Sequence, residues 1–432
     1  MNADRPTRIS VHILLQLGLI LGQIISAAAT EFTVNSDFDH RDLEPGNGLC
    51  VAYLIVFPPF VLPYCTLRGA IEEANALPGP DIINIPSGNY LLDIPGINED
   101  NAATGDLDIT DTLHITGKGV AQTSIDGNRL DRVFDIPDPA TRVTIEHLTI
   151  TNGNLPPLLI AVHKGGGGIR NRGSLTLRND ELAGNRVNGS AEGDAGGGVL
   201  NESNCALVNS TVRDNHAATG GGIYNGPGGT LAVFSSTINS NISLFGGGLI
   251  NEGTATIRNV TISGNLTGTG APPYGGGIYN TAALEILQST ITGNVSRGAG
   301  GGLSNLGSIR MTNTIIAGNT GTNCLLTQPI VSLGSNFDDD NSCLLDTPSD
   351  IINIDPGLDP LQAHGGPTLT HGLLISSPAV DRGQDLALIG ITTDQRGVKR
   401  PDGDAYDIGA FETRKRSVIP FFTPLLCCDK KY

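Results

Sequence analysis

The chain has no tryptophan, two methionines in 432 residues, and only 4% aromatic side chains. So few flat rings argue against a sugar-stacking groove. Basic side chains are also scarce, with 26 Lys and Arg against 43 Asp and Glu and a formal net charge of −17. No Lys/Arg stripe recurs along the chain, which argues against nucleic acid and anionic membranes as partners. Helical periodicity is missing from the central part of the sequence, and past residue 29 no apolar run is long enough to cross a bilayer.

Glycine is abundant, 58 residues without a triplet period, so it serves turns rather than a collagen helix. It clusters in six copies of one motif: GGGIRN, GGGVLN, GGGIYN, GGGLIN, GGGIYN and GGGLSN, ending at Asn171, Asn201, Asn225, Asn251, Asn280 and Asn305. Each copy is followed by a second element closing in another Asn, at 185, 215, 241, 265, 294 and 319. Three residues before that Asn stand Leu182, Val212, Ile238, Ile262, Ile291 and Ile316; eight before it stand Leu177, Leu207, Val233, Ile257, Ile286 and Met311. These apolar columns point inward. Thr211, Thr237, Thr261 and Thr290 form a polar column expected on the opposite, outward side.

Short β-branched runs broken by Gly and Asn read as strands, and a unit this small must stack on its neighbours to bury its apolar side. Without a helix in each repeat a leucine-rich horseshoe is excluded. The pattern predicts an all-β, single-stranded right-handed parallel β-helix, a solenoid whose strands each pair with the equivalent strand one coil later. Glycines and the Asn that follows them mark corners where positive φ is tolerated, and the stacked Asn side chains form a turn ladder.

The N-terminus reads as an export signal. Arg5 and Arg8 precede VHILLQLGLILGQII, and Ala27 and Ala29 are placed for cleavage after Ala29, leaving no transmembrane span in the mature chain. Export permits disulfides. Cys50 and Cys65 bracket one segment and Cys324 and Cys343 another, giving two local bridges, whereas Cys205 falls in a column with Leu175, Leu231, Leu284 and Ile309 and reads as a buried thiol. Cys427 and Cys428 lie in a tail of unassigned role.

The segment CTLRGAIEEANALPGPDIINIPSGNYLL from Cys65, with GDLDIT, SIDGNRLDRVF and VTIEHLTITNG after it, resembles the CSLREA domain of bacterial secreted β-helix proteins. It departs from that motif at Thr66 and at Gly69, where a Glu would stand next to Arg68. Near the other end, GGPTLTHGLLISSPAVDRG and TDQRGVKRPDGDAYDIGAFE resemble the choice-of-anchor Q domain. The resemblance implies a bacterial exported right-handed β-helix protein without an assigned activity. The expected divisions are a signal peptide at 1–29, a CSLREA-like N-terminal cap at 30–80, β-helix repeats at 81–320, a choice-of-anchor Q-like region at 321–412 and a tail at 413–432.

Candidate chemistry is sparse. Asp180, Glu181 and Asp214 form an acidic patch that stops after two coils, and Arg178 and Arg258 share a column three coils apart. Asp338, Asp339 and Asp340 form a charge run, the ordinary mark of a solvated loop, and His364 sits in AHGG, the ordinary place of a turn residue. NEDNAATGDLDITD holds Glu99, Asp100, Asp106, Asp108 and Asp111, enough hard oxygen for one calcium ion, although an acidic loop is also what the resemblance implies there. The sequence therefore points to a secreted or cell-surface β-helix acting as a structural and binding, adhesin-like module. No catalytic residue and no cofactor is expected, apart from that calcium, and an extracellular glycan or surface protein is the expected partner. The competing class is a polysaccharide lyase or glycoside hydrolase, which needs a convergent acid/base cluster on one face.

Overall fold

The computed structural model describes residues 29–57, 60–97, 99–156, 165–189, 193–268 and 275–414. The chain is an all-β parallel β-helix built on three long parallel sheets, two of 11 strands and one of nine. One coil shows the plan. Ile169–Asn171 lies in sheet III, Ser174–Arg178 in sheet I and Glu181–Ala183 in sheet II, and each pairs in parallel with Val199–Asn201, Asn204–Val208 and Thr211–Arg213 of the next coil.

Alternation along each strand fixes what faces inward. Leu177, Leu207, Val233, Ile257, Ile286 and Met311 line the interior from sheet I, and Leu182, Val212, Ile238, Ile262, Ile291 and Ile316 from sheet II, all fully buried. Sheet III adds Ile169, Val199, Ile223, Leu249, Ile278 and Leu303. Cys205 sits in register between Leu175 and Leu231, and burial pushes its thiol up to about 12, so it behaves as a small hydrophobe.

Two amide ladders run along the corners. The side chain of Asn171 donates to Asn201 Oδ1 at 2.7 Å, and the row continues through Asn225, Asn251, Asn280 and Asn305 at 2.7–2.8 Å. A second row links Asn185, Asn215, Asn241, Asn265, Asn294 and Asn319 at 2.9–3.1 Å. The left-handed backbone falls beside these asparagines rather than on them. It is adopted at Asn179, Asn209, Ser235, Asn259, Gln288 and Asn313 between sheets I and II, and at the residue just before each second-row Asn, such as Gly184 and Gly264. The Asn side chains are instead buried inside the corners, where their amides satisfy backbone groups that water cannot reach. Within the glycine motif the first glycine turns the corner with positive φ in five of the six copies, at Gly166, Gly196, Gly220, Gly246 and Gly300, and the next must allow close approach: a Cβ on Gly197 would lie 2.3 Å from the carbonyl oxygen of Gly221 in the next coil.

The stack begins before residue 81 and ends after 320. Glu31–Thr33 pairs with the first repeat strand of sheet I, and Ile351–Ile352 closes sheet II, because the segment 324–352 continues the pairing without a glycine motif. At the N-terminal end the helix Leu67–Ala76, capped by Thr66 Oγ1 accepting from the Gly69 amide at 3.0 Å, lays Leu67, Ala70, Ile71 and Ala74 on the core. Disulfides join Cys50 to Cys65 and Cys324 to Cys343.

Residues 353–414 fold back over the outer face of sheet II. Thr261 Oγ1 donates to Gln395 Oε1 at 2.7 Å, Gln395 Nε2 donates to Thr237 Oγ1 at 2.9 Å, and the Ala410 amide donates to Thr290 Oγ1 at 3.0 Å. The threonine column does point out of the coil, but it meets this covering layer instead of water, so Thr237 and Thr261 are fully buried. All but the last residue of the segment read as a signal peptide, 1–29, and most of the tail, 415–432, lie outside the described residues.

Candidate functional site

Each acidic residue singled out in the sequence has a definite place. Asp180 occupies the corner column held elsewhere by Ser210, Ser236, Val260, Ser289 and Thr314. Ser210 Oγ accepts from the Asp180 amide at 3.2 Å, and Asp180 in turn accepts from the amides of Leu148 and Arg178 at 3.1 and 2.9 Å. Burial raises its carboxyl well above the ordinary value while those two N–H groups oppose the shift. Glu181 and Asp214 both bind Arg213, at 2.6 and 2.5 Å. The patch is thus one corner residue and one ion triad, although Asp180, Glu181 and His147 do line a common cleft of about 240 Å³.

Asp338, Asp339 and Asp340 close the second amide ladder. Asn323 receives Asn319 at 2.9 Å and donates to Asp338 and Asp339 at 2.8 and 2.6 Å, while the amides of Gly318, Cys343 and Ser342 donate to carboxylate oxygens of Asp339, Asp338 and Asp340. Every one of the six carboxylate oxygens has a donor. His364 accepts or donates at 3.1 Å to Thr370 and packs edge-on against Phe411, inside the covering layer. His371 contacts Ser263 Oγ at 2.9 Å and the Asp359 carbonyl at 2.6 Å, fastening that layer to sheet II, and burial lowers its pKa.

The densest charge lies at the other end. Asp108, Asp135 and Arg170 are cross-strand neighbours on the outer face of sheet III, and the loop around Asp100 covers them. Arg170 binds both oxygens of Asp135, with Nε at 2.9 Å. Arg132 lies 2.9 Å from Asp106 and 3.6 Å from Asp135, with Asp131 also beside it. Burial, then neighbouring carboxylates, push Asp108 up to about 8, and burial raises Asp106 and Asp131 despite Arg132. The sequence marked Asp100, Asp106 and Asp108; it did not mark Asp135 or the two arginines. Glu99 and Asp111, also marked, accept from backbone amides instead, Glu99 from Asn101 and Thr104 and Asp111 from Thr112 and Gly79. The missed signal is the second acidic run, LDRVFD, one coil after GDLDIT.

Further along the same face of sheet III, Leu200, Tyr224, Ile250 and Tyr279 follow one another in register. Tyr224 and Tyr279 come from the two GGGIYN copies and are half-buried, and the Tyr224 hydroxyl donates to Glu252 at 2.6 Å.

No family model and no curated protein matches the chain. Among solved structures it is similar to the crystal structure of pectate lyase Pel9A, at 15% identity and a TM-score of 0.45, over 90% of this chain and 97% of that chain. Activity does not follow from a likeness of that depth.

Proposed function

We propose that the protein is an exported β-helix that binds an extended extracellular glycan along the outer face of sheet III and does so without turnover. The observation that carries this reading is the pair Tyr224 and Tyr279, two partly exposed rings that stand two coils apart on either side of the buried Ile250, about 9.6 Å at the usual strand spacing. A ring with a polar tip presents an apolar face and a hydrogen-bonding group together, as a sugar does. Two disulfides suit an oxidising compartment, and no helix among the described residues is long and apolar enough to cross a membrane.

The test is affinity electrophoresis of the full chain through gels containing neutral or acidic polysaccharides. Retardation by at least one of them, lost in Tyr224→Ala/Tyr279→Ala with the melting temperature kept, is the expected result; equal retardation of parent and variant would remove sheet III as the binding face. A polysaccharide lyase or glycoside hydrolase is the second reading, supported by the cleft that joins Asp180, Glu181 and His147. Release of unsaturated or reducing sugars by the parent protein, abolished when Asp180, Glu181 and Asp214 are all replaced by Ala, would favour it over the first.

A further inference from the structure

We propose that Asp100, Asp108 and Asp135 form a site for a hard divalent cation, calcium by preference, between the loop at Asp100 and the first coils of sheet III. Carboxylate oxygens of the three residues lie within 4.8 Å of one another, close enough to share one ion. Asp108 supplies the observation that an acidic cluster alone would not. Its residue is fully buried, one oxygen accepts from the Ala102 amide at 2.7 Å, and the other has no donor. A buried carboxylate oxygen without a partner keeps its full desolvation penalty, so a ligand is called for there.

The charges around it point to a cation. Asp100, Asp106, Asp108, Asp131 and Asp135 surround two guanidinium groups, those of Arg132 and Arg170. The third nearby guanidinium, Arg68, is matched by Asp39 at 2.6 and 3.0 Å and turns its remaining N–H groups to the carbonyls of Ala102, Gly105 and Asp106. Carboxylates therefore outnumber the cations that face them. The Asp338–Asp340 loop makes the contrast, since all its carboxylate oxygens already accept hydrogen bonds.

Calcium fits better than magnesium. The three ligands come from a loop and two strands with no octahedral arrangement imposed, and calcium accepts irregular oxygen shells where magnesium holds its waters. Asp135 can serve Arg170 and the ion together, because each carboxylate oxygen has two lone pairs. The Asp100 side chain is 50% exposed and provides the way in.

The full chain, dialysed against EDTA, would be titrated with calcium chloride by calorimetry, with unfolding temperature followed in parallel and magnesium chloride as the comparison. Expected are one site with a dissociation constant on the order of 0.1–1 mM, a melting temperature that rises with calcium, and a weaker response to magnesium. Asp108→Asn should abolish the calcium response. Asp100→Asn, an isosteric change at a half-exposed position, should weaken it about tenfold and decides the matter if the Asp108 variant does not fold. Absence of any calcium response in the parent would overturn the proposal, and parental stability of Asp108→Asn beside it would mean that a proton alone occupies Asp108. A calcium response unchanged in both variants would overturn it equally.

Discussion

Thr261 and Ile262 are consecutive residues of one three-residue strand, they point to opposite sides of it, and neither touches water. Ile262→Asp places an unpaired carboxylate among coil interiors and is expected to cost on the order of 3–5 kcal/mol. Thr261→Asp is expected to cost nearly as much, because it sets a carboxylate against Gln395 Oε1 under the covering layer. Thr254→Asp, at an exposed strand start, should stay within about 0.5 kcal/mol. Denaturant midpoints of the three variants check the ranking; a mild Thr261→Asp would show that residues 353–414 do not seal sheet II in solution. Alternation identified the inward residue at this strand from sequence. It could not tell whether the outward one meets solvent or protein, since the partner lies 134 residues away and is selected by a single hydrogen bond. Arg68 follows the same logic: its sequence neighbour at 69 is glycine, and its carboxylate, Asp39, comes from 29 residues upstream.

At the scale of elements, the glycine-motif coils were legible because each one repeats the same inward column, corner and amide. The segments that do not repeat were not legible. The loop 338–343 looked like a solvated charge run, yet it terminates the second amide ladder, because the last Asn of a ladder must find an acceptor outside the repeat. The acid–arginine cluster escaped for a related reason, since Asp108 and Asp135 pair across coils that precede the first glycine motif. The terminating loop has a pH signature. Burial and then Asp340 raise Asp338 from 3.8 to about 6, against the hydrogen bonds from Asn323 and Cys343. A raised folded-state value means that this group's contribution to stability is complete below its unfolded value of 3.8 and is lost as pH rises through about 6. Asp340, whose value is lowered by Ser342 and the Asn323 amide, works in the opposite sense, and its contribution is lost only in more acid solution. Carboxyl carbon shifts measured by NMR should show Asp338 titrating near 6 and Asp340 below 3.8; an ordinary value for Asp338 would contradict its burial behind Asn323.

For the whole molecule, the covering layer adds a non-repeating contribution to stability, since it packs its own apolar residues on sheet II. A chain ending at residue 352 would expose the threonine column together with Ile315, Ala317 and Phe337, which now pack against Leu373, Ala379 and Ile408. That truncation should lower the unfolding midpoint in calorimetry and produce association in sedimentation velocity, as an uncovered apolar sheet face does; an unchanged midpoint would mean that the layer is ornamental to the β-helix. The amide ladders have a different consequence, one for lineage. Each Asn from 171 to 280 donates to the next and, from 201 onward, receives from the one before, in the same direction throughout. At this corner the upper side of one coil therefore fits the lower side of any other in the row. Excising 172–201 would bring Asn171 opposite Asn225 with donor again facing acceptor, and duplicating that coil would do the same. As far as this amide row is concerned, rods of different length can thus arise from one another by gain or loss of whole coils, the ladder rejoining at the new junction without a change of its own.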